Sequence, residues 1–276
     1  MSQRIFTRLW FGLLMLCAAL PAAARDYRYF QSDGVRIAYT DYGSGVPVIL
    51  LHGLNGNYDF GMSQLGDPLS KEFRVIGIDQ RGFGLSGKPH EAEAYGKHMA
   101  TDVLNLMDHL KIQKAHVVGH SLGGIVSLYL AANHTQRFHS AVTIGNGLFT
   151  QGQLSLIGWL LKGMFAWEDV KLFFGGSVFR LPGHDGVASV LVARNLTPLT
   201  VTEQQAAAIR IPLLVARGGE KDDPRSTAEH LKAINPGVRF LRLETEDHGS
   251  MLKAPAFQRE LRLFLLKANP ATQASD

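Results

Sequence analysis

The chain has 276 residues, of which 46% are apolar, 28 are Lys or Arg and 24 are Asp or Glu. That is enough apolar material for one sizeable α/β domain, and no second domain is required. The near-balanced charge excludes nucleic acid or a strongly acidic molecule as the natural partner.

In chain order, Arg4 and Arg8 precede an apolar run from Leu9 to Leu20 and then Pro21-Ala22-Ala23-Ala24. These are the three regions of a secretory signal peptide, with cleavage expected after Ala24 and a periplasmic or secreted location for the mature chain. The apolar run is far shorter than the roughly 20 residues of a spanning helix. An uncleaved membrane anchor is the alternative. The sole cysteine, Cys17, lies in this leader behind Leu16, where a lipoprotein signal has a small residue. The mature chain therefore has no thiol nucleophile, disulfide or cysteine metal site. Removing Arg4 and Arg8 from the 28 basic residues leaves 26 against 24 acidic ones, a net charge of +2.

Residues 27–30 and 35–41 flank Ser32-Asp33-Gly34, the signal of an antiparallel hairpin at a sheet edge. Continuous apolar runs follow at 46–51, 73–78, 115–118, 140–144, 211–215 and 238–243, the pattern of strands buried on both faces. Between them lie helical stretches. One covers 99–110, with Val103, Leu106, Met107 and Leu110 at helical spacing, and another covers 125–132 after Gly123-Gly124. Strands alternating with helices predict a mixed, mostly parallel sheet. Residues 146–205, rich in glycine and aromatics (Phe149, Trp159, Phe165, Trp167, Phe173, Phe174), read as a lid inserted over the active edge of that sheet. Residues 268–276 read as a frayed tail.

Gly119-His120-Ser121-Leu122-Gly123 stands between a predicted strand and a predicted helix, the context in which G-x-S-x-G presents a nucleophilic serine. The small residues at 119 and 123 let neighbouring chain pass closely, while the helix start supplies amides for an oxyanion. The competing reading is that Ser121 merely caps the helix. A serine hydroxyl needs a base, and the base needs an orienting carboxylate. After the strand at 211–215 come Asp222 and Asp223, either of which can be that carboxylate, and after the strand at 238–243 comes His248.

With His52-Gly53-Leu54, Asp79-Gln80-Arg81-Gly82-Phe83-Gly84-Leu85-Ser86, the serine pentapeptide and Gly219-x-x-Asp222 with His248 in this order, the chain resembles the α/β-hydrolase superfamily from about Tyr27 to Leu266. The resemblance is to its small serine esterase, lipase and haloperoxidase-like members. It implies an eight-stranded, mostly parallel sheet flanked by helices, and Ser121, Asp222 and His248 as a triad. Asp222 is preferred to Asp223 by its distance from Gly219, and Asp223 before Pro224 would then cap a helix. The resemblance also implies backbone amides of Leu54 and Leu122 as the oxyanion hole, with no cofactor and no metal. His52, His120 and Arg81 read as structural members of their motifs, and the carboxylate of Asp247 as facing solvent.

The implied activity is cleavage of carboxylic esters through an acyl-enzyme. Other serine chemistries of the fold (peptidase, lactonase, perhydrolase) and a non-catalytic ligand-binding member are the alternatives. The expected partner is a small-molecule ester, carrying an apolar acyl chain if the insertion forms a tunnel. Membrane contact is expected only through the signal peptide or the lid.

Overall fold

Asp33 and Gly34 both take positive φ, 47° and 77°, as a two-residue type I′ hairpin turn requires. The turn closes β1 (Tyr27–Ser32) onto β2 (Val35–Gly43) as an antiparallel pair. The computed structural model describes residues 25–156, 159, 183–219, 222 and 228–269. The leader at 1–24, Asp223, most of the aromatic part of the insertion and residues 270–276 lie outside the described residues.

Six further strands complete one sheet: β3 (Pro47–Leu51), β4 (Arg74–Asp79), β5 (Ala115–His120), β6 (Phe138–Ile144), β7 (Leu213–Gly218) and β8 (Arg239–Leu243). The order is β1-β2-β4-β3-β5-β6-β7-β8, antiparallel at β1/β2 and β2/β4 and parallel elsewhere. The chain passes from β3 to β4 on one side and then to β5 on the other, so a crevice opens beyond the carboxyl ends of β3 and β5. Open α/β sheets place their ligands at such a switch point.

Alternate residues of the central strands feed two cores. Ile49, Leu51 and Val117 pack with α2 (Lys97–His109) and α3 (Leu122–Asn133). Val48, Leu50 and Val118 pack with α1 (Ser63–Leu69) and the helix Pro255–Lys267. This explains why the strand sequences are apolar at every position rather than at every second one.

The structure differs from the sequence expectation at β8, which is not buried on both faces. It is an edge strand paired only with β7, and Arg239 and Arg242 reach solvent there, ion-paired with Glu260 and Glu244. Ala268, expected in the tail, is buried, and its N–H bonds to Phe264 O at 3.1 Å.

Of the insertion, Leu148, Phe149 and Leu154 are buried in the core on the α3 side, whereas Trp159 is exposed. Its later part carries the helix Gly186–Arg194, capped by Asp185. Residue 205 falls within the helix Glu203–Ala208, where Thr202 and Gln205 form a capping box.

Arg25, the residue after the expected cleavage point, is held between Asp59 (2.6 Å) and Asp67 (2.8 Å), over the rings of Tyr42 and Tyr58. It pins the start of β1 to the π-helical turn Tyr58–Met62, which continues the chain from His52-Gly53-Leu54.

Candidate active site

β5 delivers Ser121 to the crevice in a backbone conformation (φ 51°, ψ −115°) that a non-glycine residue avoids. Such strain costs on the order of 1–3 kcal/mol and persists only where the surroundings over-determine it. Here they do: Ser121 N–H donates to Ile144 O (2.8 Å), and Ser121 O accepts from Asn146 Nδ2 (2.6 Å) and Gly124 N (2.8 Å). The two glycines of the motif are sterically required. A Cβ at Gly119 would lie 1.9 Å from Gly123 O, and one at Gly123 would lie 2.2 Å from Leu51 O. Ser121 occupies the position before α3, yet its side chain makes no capping bond, so capping does not account for it.

The amide of Leu122 is the first of α3, and that of Leu54 follows the His-Gly turn at the end of β3. Neither donates to an acceptor among the described residues. Two such amides flanking a serine at a helix start are the donors an oxyanion needs.

Asp222 is buried, and its Oδ2 accepts from Gly218 N at 2.7 Å. Its Oδ1 accepts from His248 Nδ1 at 2.9 Å. A carboxylate only accepts, so Nδ1 carries the proton and Nε2 is left with a lone pair. The His248 side chain is 37% exposed. A hydrogen bond from Ser121 Oγ to His248 is not among the contacts of the described residues. Such catalytic bonds commonly tighten only with substrate.

The sequence reading left two supports of this site unnoticed and gave a third, the structural histidine, no partner. Gly145, with φ 79°, lies under the His248 ring: a Cβ there would be 2.6 Å from Cε1. Gly145→Ala is therefore expected to displace the imidazole and lower kcat by about a hundredfold, the typical cost of a 1 Å misplacement. Steady-state kinetics beside a thermal melt check this, and a folded variant with wild-type kcat would refute it. Asn146 carries the second support, through its bond to Ser121 O. The third is His120, whose Nε2 donates to His248 O at 2.7 Å and so holds the backbone of His248.

As expected from the sequence, neither other motif histidine is placed to act as base. Burial and the nearby His248 press His120 down to about 4. His52 is fully buried, which lowers its pKa, and it donates from Nδ1 to Gly53 O (2.7 Å) while Nε2 accepts from Gln80 N (3.0 Å). Its carbonyl also receives Gly123 N and Gln80 Nε2, tying the His-Gly turn to the serine turn.

Arg81 is buried against Asp102 and donates to Ala94 O at 2.6 Å, away from any substrate role. Asp247 is solvent-exposed as expected, and its Oδ1 accepts from Ser250 N (2.8 Å) and Gly249 N (2.9 Å). Those two bonds hold its carboxyl below the usual range.

The family described as the alpha/beta hydrolase fold matches residues 46–174. An acetyltransferase component of the acetoin cleaving system of Cupriavidus necator is 35% identical over 48% of this chain and 37% of its own length. The human serine hydrolase BPHL is 26% identical over 79% of this chain and 77% of its own. The solved structure of a meta-cleavage product hydrolase from Pseudomonas fluorescens superposes with a TM-score of 0.70 at 25% identity, over 88% of this chain and 98% of that one. Several curated matches, the acetyltransferase among them, span only 36% to 41% of the relative's length. Together with the eight-stranded sheet, these likenesses show that the chain has the alpha/beta hydrolase fold.

Proposed function

We propose that the chain is an exported serine hydrolase that cleaves carboxylic esters through an acyl-enzyme. One observation carries the reading: a strained serine stands beside two amides that meet no acceptor among the described residues, on a crevice that also holds a buried-carboxylate–imidazole pair. Ser121 Oγ attacks the ester carbonyl carbon while His248 Nε2 takes its proton. Asp222 keeps the imidazole in the tautomer that can accept it and stabilises the imidazolium. The Leu54 and Leu122 amides hold the oxyanion.

The tetrahedral centre then collapses, breaking the bond to the leaving oxygen, which receives the proton from His248. Water, deprotonated by the same Nε2, attacks the acyl-serine, and a second collapse releases the acid and restores Ser121. Serine hydrolysis by this route uses no metal or cofactor.

The test uses a fluorophosphonate probe on the exported protein with intact-mass readout. One covalent label on a chain beginning at Arg25, lost in Ser121→Ala, is expected, together with hydrolysis of p-nitrophenyl butyrate. A folded protein that takes no label and cleaves no ester overturns the reading. A labelled chain that retains residues 1–24 overturns export by cleavage alone.

A further inference from the structure

A cleft of about 580 Å³ lies beside the oxyanion loop, unused by the steps above. Gly53, Leu54 and His120 line it on one side, and Ser250, on the loop that carries His248, lines another. Asn55 and Gln64 also line it, and both are unusual.

Asn55 directly follows the oxyanion residue Leu54, takes φ 59° although it is not glycine, and is only 8% exposed. Its Oδ1 is buried without a donor, and so is Gln64 Oε1. Neither carboxamide bonds to any described residue. Neighbouring amides behave differently. Asn57 Oδ1 accepts from Phe60 N, and Gln258 Nε2 donates to the carbonyls of Gln64 and Leu252. Two carboxamide oxygens on the wall of one cleft, buried and without a protein donor, mark a place where a ligand can supply the donor. An untethered carboxamide can turn either its oxygen or its NH2 to the cleft, and a hydroxyl group, which both donates and accepts, matches both.

The direction of the reaction says which part of the substrate arrives there. The leaving oxygen takes its proton from His248, so its carbon substituent lies toward the loop that bears His248, and that loop is a wall of this cleft. We propose that the Asn55–Gln64 cleft is the leaving-group subsite and takes an alcohol bearing further hydroxyls, a polyol such as glycerol. The inference rests on the ester-hydrolysis reading.

Glyceryl 1-monobutyrate and propyl butyrate share the acyl group and a three-carbon alcohol and differ by two hydroxyls. After division by their alkaline hydrolysis rates, the wild-type protein is expected to favour the glyceryl ester in kcat/KM by about tenfold or more, as sites built to bond a hydroxyl do. Gln64→Leu, and Asn55→Gly, which keeps the left-handed backbone accessible, are each expected to shrink that ratio about fivefold by weakening the glyceryl reaction. Because the ratio is internal to each protein, partial unfolding cancels from it, and the wild-type ratio stands even if a variant fails to fold. A wild-type ratio near one, or a ratio that survives both substitutions, overturns the subsite while leaving ester hydrolysis intact. No cleavage of either ester and no fluorophosphonate label overturns both.

Discussion

Replacing Asp222 by Asn is expected to lower kcat for p-nitrophenyl butyrate by about four orders of magnitude while the protein stays folded. The size follows from how the carboxylate is held. Asp222 Oδ2 accepts from Gly218 N at 2.7 Å, and that amide belongs to the end of β7 and cannot turn away. An asparagine must set its oxygen there, since its NH2 would meet the amide donor to donor. Its NH2 then faces His248 Nδ1, where the carboxylate now accepts at 2.9 Å. The imidazole is forced into the other tautomer, with Nε2 protonated and unable to take the proton of Ser121. Asp223→Asn is expected to keep a kcat within a few-fold of wild type. Loss confined to the Asp223 variant would move the acid to that position and undo the argument.

The contrast between these aspartates shows where the sequence was readable. The strands were legible because a strand buried on both faces is apolar at every position, and the serine turn because it stands between a strand and a helix and Gly119 answers a steric demand made by Gly123 within five residues. The order of the candidate serine, acid and base could be proposed because each follows its own predicted strand. The preference for Asp222 rested on resemblance alone, and its bond to the Gly218 amide is a contact no local pattern announces.

Gly145 and Asn146 stayed invisible for the same reason: the first is shaped by a ring 103 residues away in the chain, the second by a carbonyl 25 residues away. β8 was misread although Arg239 and Arg242 interrupt its apolar run, and its place at the sheet edge depends on the order of all eight strands. Asn55 carried no signal at all, since a lone asparagine after a His-Gly turn reads as an ordinary loop residue.

Arg81 was read correctly as structural, but its partner and the magnitude of its effect are tertiary facts. Its guanidinium, 1% exposed, spans both oxygens of Asp102 and reaches Ala94 O. Arg81→Leu is expected to lower the free energy of unfolding by about 3–5 kcal/mol, because it strands a buried carboxylate. Burial already holds the Asp102 carboxyl above its usual range despite Arg81. A group whose pKa is raised by folding stabilises the fold below its unfolded pKa, about 3.9, and that contribution is lost as pH rises through the folded value.

Losing Arg81 pushes the folded value of Asp102 higher still, so the deficit of the variant grows from acid toward neutral pH. Urea melts at pH 4.5 and pH 8 are expected to show the larger loss at pH 8, and the reverse order would refute an uncompensated carboxylate as the cause. Adding Asp102→Leu is expected to recover most of the stability, since apolar residues can replace a buried ion pair once both charges are gone. Recovery stays incomplete because Ala94 O loses its donor. The double variant is expected to keep wild-type kcat, which separates a residue that holds the Asp79–Ser86 loop from one that touches substrate.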